Sequence, residues 1–191
     1  MFKPEDIKYI TETDLPFAGR EHFSMRPELS GYRDVGDYDR FMALDAMSHY
    51  AIYFAMADRS YEIGKNKIAR ERHIYLVDVL AIGQIAGYGA ISNSLTSSST
   101  YVKDKPLVLN TETVPDFLRQ GYGRRRYMAM NAASLLMFSN PIHSREKGNM
   151  LSDSAEKTWD SLVREGLAES YEETGASRVR PIQRYRFKTA E

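Results

Sequence analysis

The chain has 191 residues, enough for one domain with a sizeable core. It contains no cysteine, which excludes disulfides, thiolate zinc sites and cysteine nucleophiles and suits a reducing cytoplasm. Lysine plus arginine equal aspartate plus glutamate at 26 each, so the basic excess of a dedicated nucleic-acid binder is missing, although a local basic patch is not excluded.

The N-terminal run Met1-Phe2-Lys3-Pro4-Glu5-Asp6 has no apolar stretch of the kind a signal peptide needs. No apolar run reaches the roughly 18 residues that span a bilayer, so no membrane association is expected. Residues 1–36 read as irregular, punctuated by Pro4, Pro16, Pro27, Gly19, Gly31 and Gly36. Asp37 is placed to cap a helix through about Ser48, with Phe41, Ala43, Leu44 and Met47 at helical spacing. Residues 49–57 fit either an extension of that helix or a strand. Ile74 to Leu80 and Gln84 to Ile91, with Gly83 between them, read as an antiparallel hairpin. Asp78 faces solvent by strand alternation in this reading. Ser92 to Lys105 is a polar connection containing Ser97-Ser98-Ser99-Thr100.

Leu107 to Val114 is a third strand, stopped by Pro115. A helix then runs from about Phe117 to Phe138, with Tyr127, Met130, Ser134 and Phe138 on one stripe. Asn140-Pro141 ends it, and Ile142 to Ser144 is a short extended piece. Ser152 or Asp153 caps a last helix through about Glu165, whose apolar face is Ala155, Trp159, Leu162 and Val163. Gly166 is the expected stop, and Arg184 to Phe187 reads as a final strand. No repeat and no linker divides the chain, so residues 1–191 read as one domain. Residues 1–60 form an irregular or helical N-terminal part, and residues 70–190 form the core.

The segment with chemical content is Arg119-Gln120-Gly121-Tyr122-Gly123-Arg124, between the third strand and its helix. Glycines at such a turn let backbone N–H groups approach a ligand. The first N–H groups of a helix lack partners and sit at the positive end of its dipole, which suits a pyrophosphate. Arg124, Arg125 and Arg126 oppose that dipole, and a bound polyphosphate would remove the conflict. The plain alternative is a glycine turn beside solvated arginines. Neither the P-loop spacing nor the dinucleotide fingerprint is present.

In this order of elements, the run Thr113-Val114-Pro115-Asp116-Phe117-Leu118-Arg119-Gln120-Gly121-Tyr122-Gly123 resembles the cofactor segment of the GNAT acyltransferase superfamily. Trp159, Leu162 and Gly166 resemble a run in the later helix of phage-type members. The resemblance implies an α/β (α+β) fold, with a mixed, mostly antiparallel sheet flanked by helices. It implies acetyl-CoA as co-substrate, held by backbone N–H groups of Arg119, Gln120, Gly121, Tyr122, Gly123 and Arg124. Thr113 and Val114 would pair with the pantetheine arm, and a backbone N–H there would polarise the thioester carbonyl. An amine of a small molecule or protein would attack directly. A homodimer is among the assemblies allowed, and a phage-encoded protein would act in the host cytoplasm. Trp159 stands where many members carry a tyrosine that protonates the leaving thiolate.

Glu112 lies near the usual place of a general base, His143 beside the cofactor strand, and Ser144 next to it could order a water. The tyrosines at 32, 38, 50, 53 and 61 could line an acceptor site or cap the core. His22, His49 and His73 are scattered, so no metal is expected. Two other readings stay open. One is a nucleic-acid binder or modifier that uses Arg178, Arg180, Arg184 and Arg186 on a C-terminal β wing. The other is a non-catalytic structural or host-inhibitory protein that keeps the fold.

Overall fold

The computed structural model describes residues 1–24, 38–62, 68–95, 105–174 and 180–189. The fold is mixed α/β. Strands β1 (Ile7–Ile10), β2 (Arg40–Met47), β3 (Tyr50–Glu62), β4 (Ile68–Leu80), β5 (Ile85–Ser94) and β6 (Leu107–Thr113) form one sheet in sequence order, every neighbour antiparallel. Helix α1 (Phe17–Ser24) covers one face. Helix α2 (Tyr122–Phe138) covers the other, beside α3 (Asp153–Arg164). Strands β7 (Ala168–Glu173) and β8 (Ile182–Phe187) form an antiparallel pair beneath α3.

Alternation assigns the two faces. Met42, Leu44, Ile52, Phe54, Ile74, Leu76 and Ile91 are buried with Tyr127, Met130 and Ala133 of α2. Ala55, Tyr75, Val77, Val79 and Ala90 are buried with Leu15 and with Phe23 of α1. Each large apolar side chain so buried contributes about 1.5–3 kcal/mol. In α3, Trp159 stacks on Tyr185 with ring centroids 5.7 Å apart and meets Tyr127 edge-on at 5.1 Å. That packing ties the last hairpin to α2. The Ser152 hydroxyl caps α3 by accepting from the Ala155 N–H, and Gly166 ends its last turn at a φ of 76°.

The structure corrects three expectations. Residues 40–47 are strand β2, not a helix, and Asp37 lies outside the described residues. The helical spacing was misleading because the strand is covered on both faces. Met42 and Leu44 join the α2-side core and Phe41 the α1-side core, so apolar residues fall on both parities. The N-terminal part is not mainly irregular, since β1, β2 and β3 all belong to the sheet. Helix α2 starts at Tyr122 instead of Phe117, because Pro115–Phe117 forms a separate 3-10 turn. The Ser97–Thr100 run lies outside the described residues.

Candidate functional site

Strand β6 has β5 on one side. On the other its only partner among the described residues is the extended piece at Ile142–Ser144, which runs parallel to it. That pairing is short. The His143 N–H donates to the Pro106 carbonyl at 2.8 Å, and the Val108 N–H donates to the His143 carbonyl at 2.9 Å. The chain after His143 then turns to β8, with the Ser144 N–H on the Tyr185 carbonyl and the Lys147 N–H on the Gln183 carbonyl. A β-bulge breaks the β5–β6 register at the same level, since Ala90 faces Asn110 while Ile91 faces Val108. From Leu109 to Thr113 the far edge of β6 therefore has no strand beside it among the described residues. Two parallel strands joined at one residue and then parting leave a V, closed at Leu107–His143 and open towards Thr113.

The glycine turn stands at the mouth of this V. Arg119 (φ 62°) and Gly121 (φ 85°) are both left-handed, and a Cβ at Gly121 would meet nothing within 4 Å. The first backbone bond of α2 is the Arg125 N–H to the Gly121 carbonyl, at 3.1 Å. The N–H groups of residues 122–124 thus have no backbone acceptor among the described residues. Gly123 lets the helix start lie close to β6, 3.6 Å from the Thr113 hydroxyl to its virtual Cβ. The Val114 N–H is already committed to the Ala86 carbonyl at 2.9 Å.

The three arginines find partners within the protein. The Arg124 side chain pairs with Glu165, and Arg125 lies over the rings of Tyr50 and Tyr122 at 5.8 and 5.6 Å. Arg126 is fully buried and, contrary to the solvent-facing expectation, so is Asp78. Arg126 Nη2 donates to Asp78 Oδ2 at 2.8 Å, Nε reaches the same carboxylate at 3.1 Å, and Nη1 reaches the Thr111 and Thr113 hydroxyls at 3.0 and 3.2 Å. Burial pushes the Asp78 carboxyl up while the guanidinium pulls it down. Arg126 can lie flat on the sheet because Gly87 and Gly89 lie beneath it. A Cβ at Gly87 would come within 1.9 Å of its Nη2.

The candidate catalytic residues fall at opposite ends of β6. Glu112 is exposed near the mouth, and its carboxylate accepts from the Tyr88 hydroxyl. His143 lies at the closed end, five residues or roughly 17 Å away along the strand. Its Nδ1 lies 2.8 Å from the Tyr171 hydroxyl. Burial first, then Lys105, Arg186 and Arg184, pushes its pKa down to about 3. Ser144 is buried, donating to the Arg145 carbonyl at 2.6 Å and accepting from the Tyr185 N–H at 2.8 Å. Trp159 is a core residue. On the C-terminal hairpin Arg184 pairs with Glu173 at 2.5 Å and Arg186 with Glu169 at 2.6 Å, while Arg178 lies outside the described residues.

Two polar constellations escaped the sequence reading. One is Asp78–Arg126. The other lies on the α1 face, where Glu71, His73 and Tyr75 alternate along β4. The Ser92 hydroxyl donates to Glu71 Oε2 at 3.0 Å, His73 Nε2 lies 2.9 Å from that same oxygen, and His73 Nδ1 lies 3.2 Å from the Tyr75 hydroxyl. Arg59 donates to the Tyr75 oxygen at 3.0 Å. The Glu-x-His-x-Tyr spacing, three polar residues at period two ahead of an apolar strand, was the signal available. Among the described residues no group of three His, Asp or Glu side chains could hold a metal, and no helix is long and apolar enough to cross a membrane.

No family model matches the chain, and no curated protein matches it. Among solved structures it is similar to a protein from Bacillus anthracis strain Ames, provisionally named a streptothricin acetyltransferase and solved in complex with acetyl coenzyme A. The identity is 11%, the match covers 97% of each chain, and the TM-score is 0.41.

Proposed function

We propose that the protein is an acyltransferase of the GNAT type, which binds acetyl-CoA in the V beside β6 and transfers the acetyl group to an amine. The observation that carries this reading is the parting of β6 from residues 142–147, immediately below a left-handed turn at a helix start. An unpaired strand edge accepts an extended amide chain by main-chain hydrogen bonds, as the pantetheine arm offers. In this reading the N–H groups of residues 122–124, with those of Arg119, Gln120 and Gly121 in the turn, donate to the pyrophosphate oxygens. The arginine side chains are not needed for that, because each has a protein partner.

Laid along the edge from Thr113 towards Leu109, the arm brings the thioester to the closed end of the V. The amine nitrogen then forms a bond to the thioester carbon, and the carbon–sulfur bond breaks. An amine that arrives as an ammonium carries three protons: one must be taken by an acceptor before attack, one goes to the leaving thiolate, and one stays on the amide nitrogen. His143 and Ser144 frame the closed end mainly through their backbones, and Glu112 stands near the mouth. Phage-type membership and a host-cytoplasm location rest on the Trp159, Leu162 and Gly166 run alone. Phosphate contact by the C-terminal hairpin is the weaker reading, because Arg184 and Arg186 are already paired with glutamates.

Calorimetric titration with acetyl-CoA tests the reading. The wild type and a Gly121→Asn variant should bind, since asparagine tolerates the left-handed backbone. Gly121→Asp should weaken binding by about tenfold or more through charge repulsion at the pyrophosphate. A folded wild type that shows no heat at millimolar acetyl-CoA contradicts it.

A further inference from the structure

The proposed transfer leaves one proton without an acceptor, and the α1 face offers a chain of groups built to take it. Ser92, Glu71, His73, Tyr75 and Arg59 are each at most 8% exposed and bonded in series. With Glu71 ionised, one assignment satisfies the bonds among these residues. Ionised Glu71 only accepts, so His73 carries its proton on Nε2. Nδ1 is then the acceptor and takes the Tyr75 O–H, while the Tyr75 oxygen accepts from Arg59. The chain runs along β4 from Tyr75 to Glu71.

Its location matches the closed end of the V. Tyr75 pairs with Ala90 in register, and Ala90 pairs with Asn110 at the β6 bulge. Ala90 lies between Tyr75 and Asn110 across two strand spacings of about 4.8 Å each, and the bulged Leu109 packs against the same cluster. His73 pairs with Ser92, which pairs with Leu107, the residue joined to His143. Glu112, by contrast, lies towards the mouth. The aromatic rings of Tyr38, Phe23 and Phe41 wall the same face, with Tyr38 edge-on to Tyr75 at 6.0 Å.

We propose that the Tyr75–His73–Glu71 chain is the proton acceptor of the transfer reaction, and that the amine enters on the α1 face. This rests on the acetyl-CoA reading above. The ammonium gives a proton to the Tyr75 oxygen as Tyr75 passes its own to His73 Nδ1. That leaves a neutral amine, an intact phenol, and an imidazolium beside the Glu71 carboxylate. After the carbon–nitrogen bond forms, the thiolate takes the second proton and His73 returns the first to solvent. Tyr75 is the catalytic residue; His73 and Glu71 act through it. Among the described residues, the charged and titratable groups facing His73 are Glu71 and Tyr75 on β4 and Arg59 on β3. Tyr38 lies beyond Tyr75, and Ser92 on β5 adds an uncharged hydroxyl.

The test measures acetyl transfer from acetyl-CoA to two probe amines across pH. 1,3-Diaminopropane is protonated at neutral pH, whereas hydroxylamine is not and needs no deprotonation before attack. Tyr75→Phe and His73→Gln should lose about 10²- to 10⁴-fold in kcat with diaminopropane. They should lose less than about threefold with hydroxylamine, and keep the wild-type affinity for acetyl-CoA by calorimetry. Glu71→Gln should move the lower limb of the pH profile. Equal losses with both amines mean that the chain is structural and overturn the proposal. So does an amine-dependent loss in Glu112→Gln with none in Tyr75→Phe, or a wild type that binds acetyl-CoA yet acetylates neither amine. Absent acetyl-CoA binding overturns the cofactor reading instead.

Discussion

The two faces of the sheet each bury charge, and they do so for different ends. On the α2 face Asp78 and Arg126 are locked by five side-chain bonds into one arrangement, across glycines whose missing Cβ atoms make room for the guanidinium. That ion pair holds the first turn of α2 against Thr111 and Thr113 and so fixes the glycine turn over the mouth of the V. On the α1 face the Glu71–His73–Tyr75 chain has a proton-bearing atom at each junction and a histidine at its centre. A guanidinium–carboxylate pair cannot shift a proton at ordinary pH, whereas an imidazole between a carboxylate and a phenol can. Buried charge on one side sets geometry; on the other it offers a route.

The sharpest way to break that contrast is to remove one member of the ion pair. Arg126→Ala leaves the Asp78 carboxylate buried alone and should cost about 3–5 kcal/mol in urea denaturation. The double change Asp78→Leu with Arg126→Met should recover most of it, since a buried pair is often replaceable by apolar groups. If the single change costs under 1 kcal/mol, the pair is not what holds α2. Next in size, Gly87→Ala should cost about 3 kcal/mol or more, because its Cβ would be 1.9 Å from Arg126 Nη2 and 2.4 Å from the Glu112 carbonyl oxygen. Gly83→Ala, in a left-handed turn with open space around it, should cost only about 1 kcal/mol by the same melt.

A pH series sharpens the comparison at a third buried group. His143 has a folded pKa of about 3, below the ordinary value of 6.5, so the unfolded chain takes up a proton that the native state refuses. Stability is full above pH 6.5 and falls as the pH drops towards 3. The native state should be about 2 kcal/mol less stable at pH 5 than at pH 7, and His143→Gln should flatten that slope. The smallest effects belong to the surface. Ser152→Ala should cost about 1 kcal/mol through the lost cap of α3. Arg124→Ala should cost under about 1 kcal/mol, because its pairing with Glu165 is solvent-exposed.

How far the sequence went depended on whether one pattern dominated a segment. Ile74–Leu80, Leu107–Val114 and the Ser152-capped helix could be read because apolar runs, proline and cap residues agreed. Residues 40–47 could not, because burial on both faces puts apolar side chains on both parities and mimics a helix. The turn at Arg119–Arg124 was legible from its glycines alone. The roles of its arginines were not, because Glu165, Tyr50 and Asp78 are remote in sequence. Asp78 looked solvent-facing for the same reason, since its partner lies 48 positions away. The role of His73 was not legible because it has no metal-ligand spacing and its partners are alternate residues of its own strand.

The central claim is that acetyl-CoA lies along the free edge of β6 beneath the glycine turn. Backbone amide chemical shifts in the ¹⁵N-labelled protein, followed as acetyl-CoA is added, test it most directly. The account predicts the largest shifts at residues 109–113 and 119–124, with β1 and β2 unmoved. Shifts confined to the β7–β8 hairpin, or none at saturating acetyl-CoA, would contradict it.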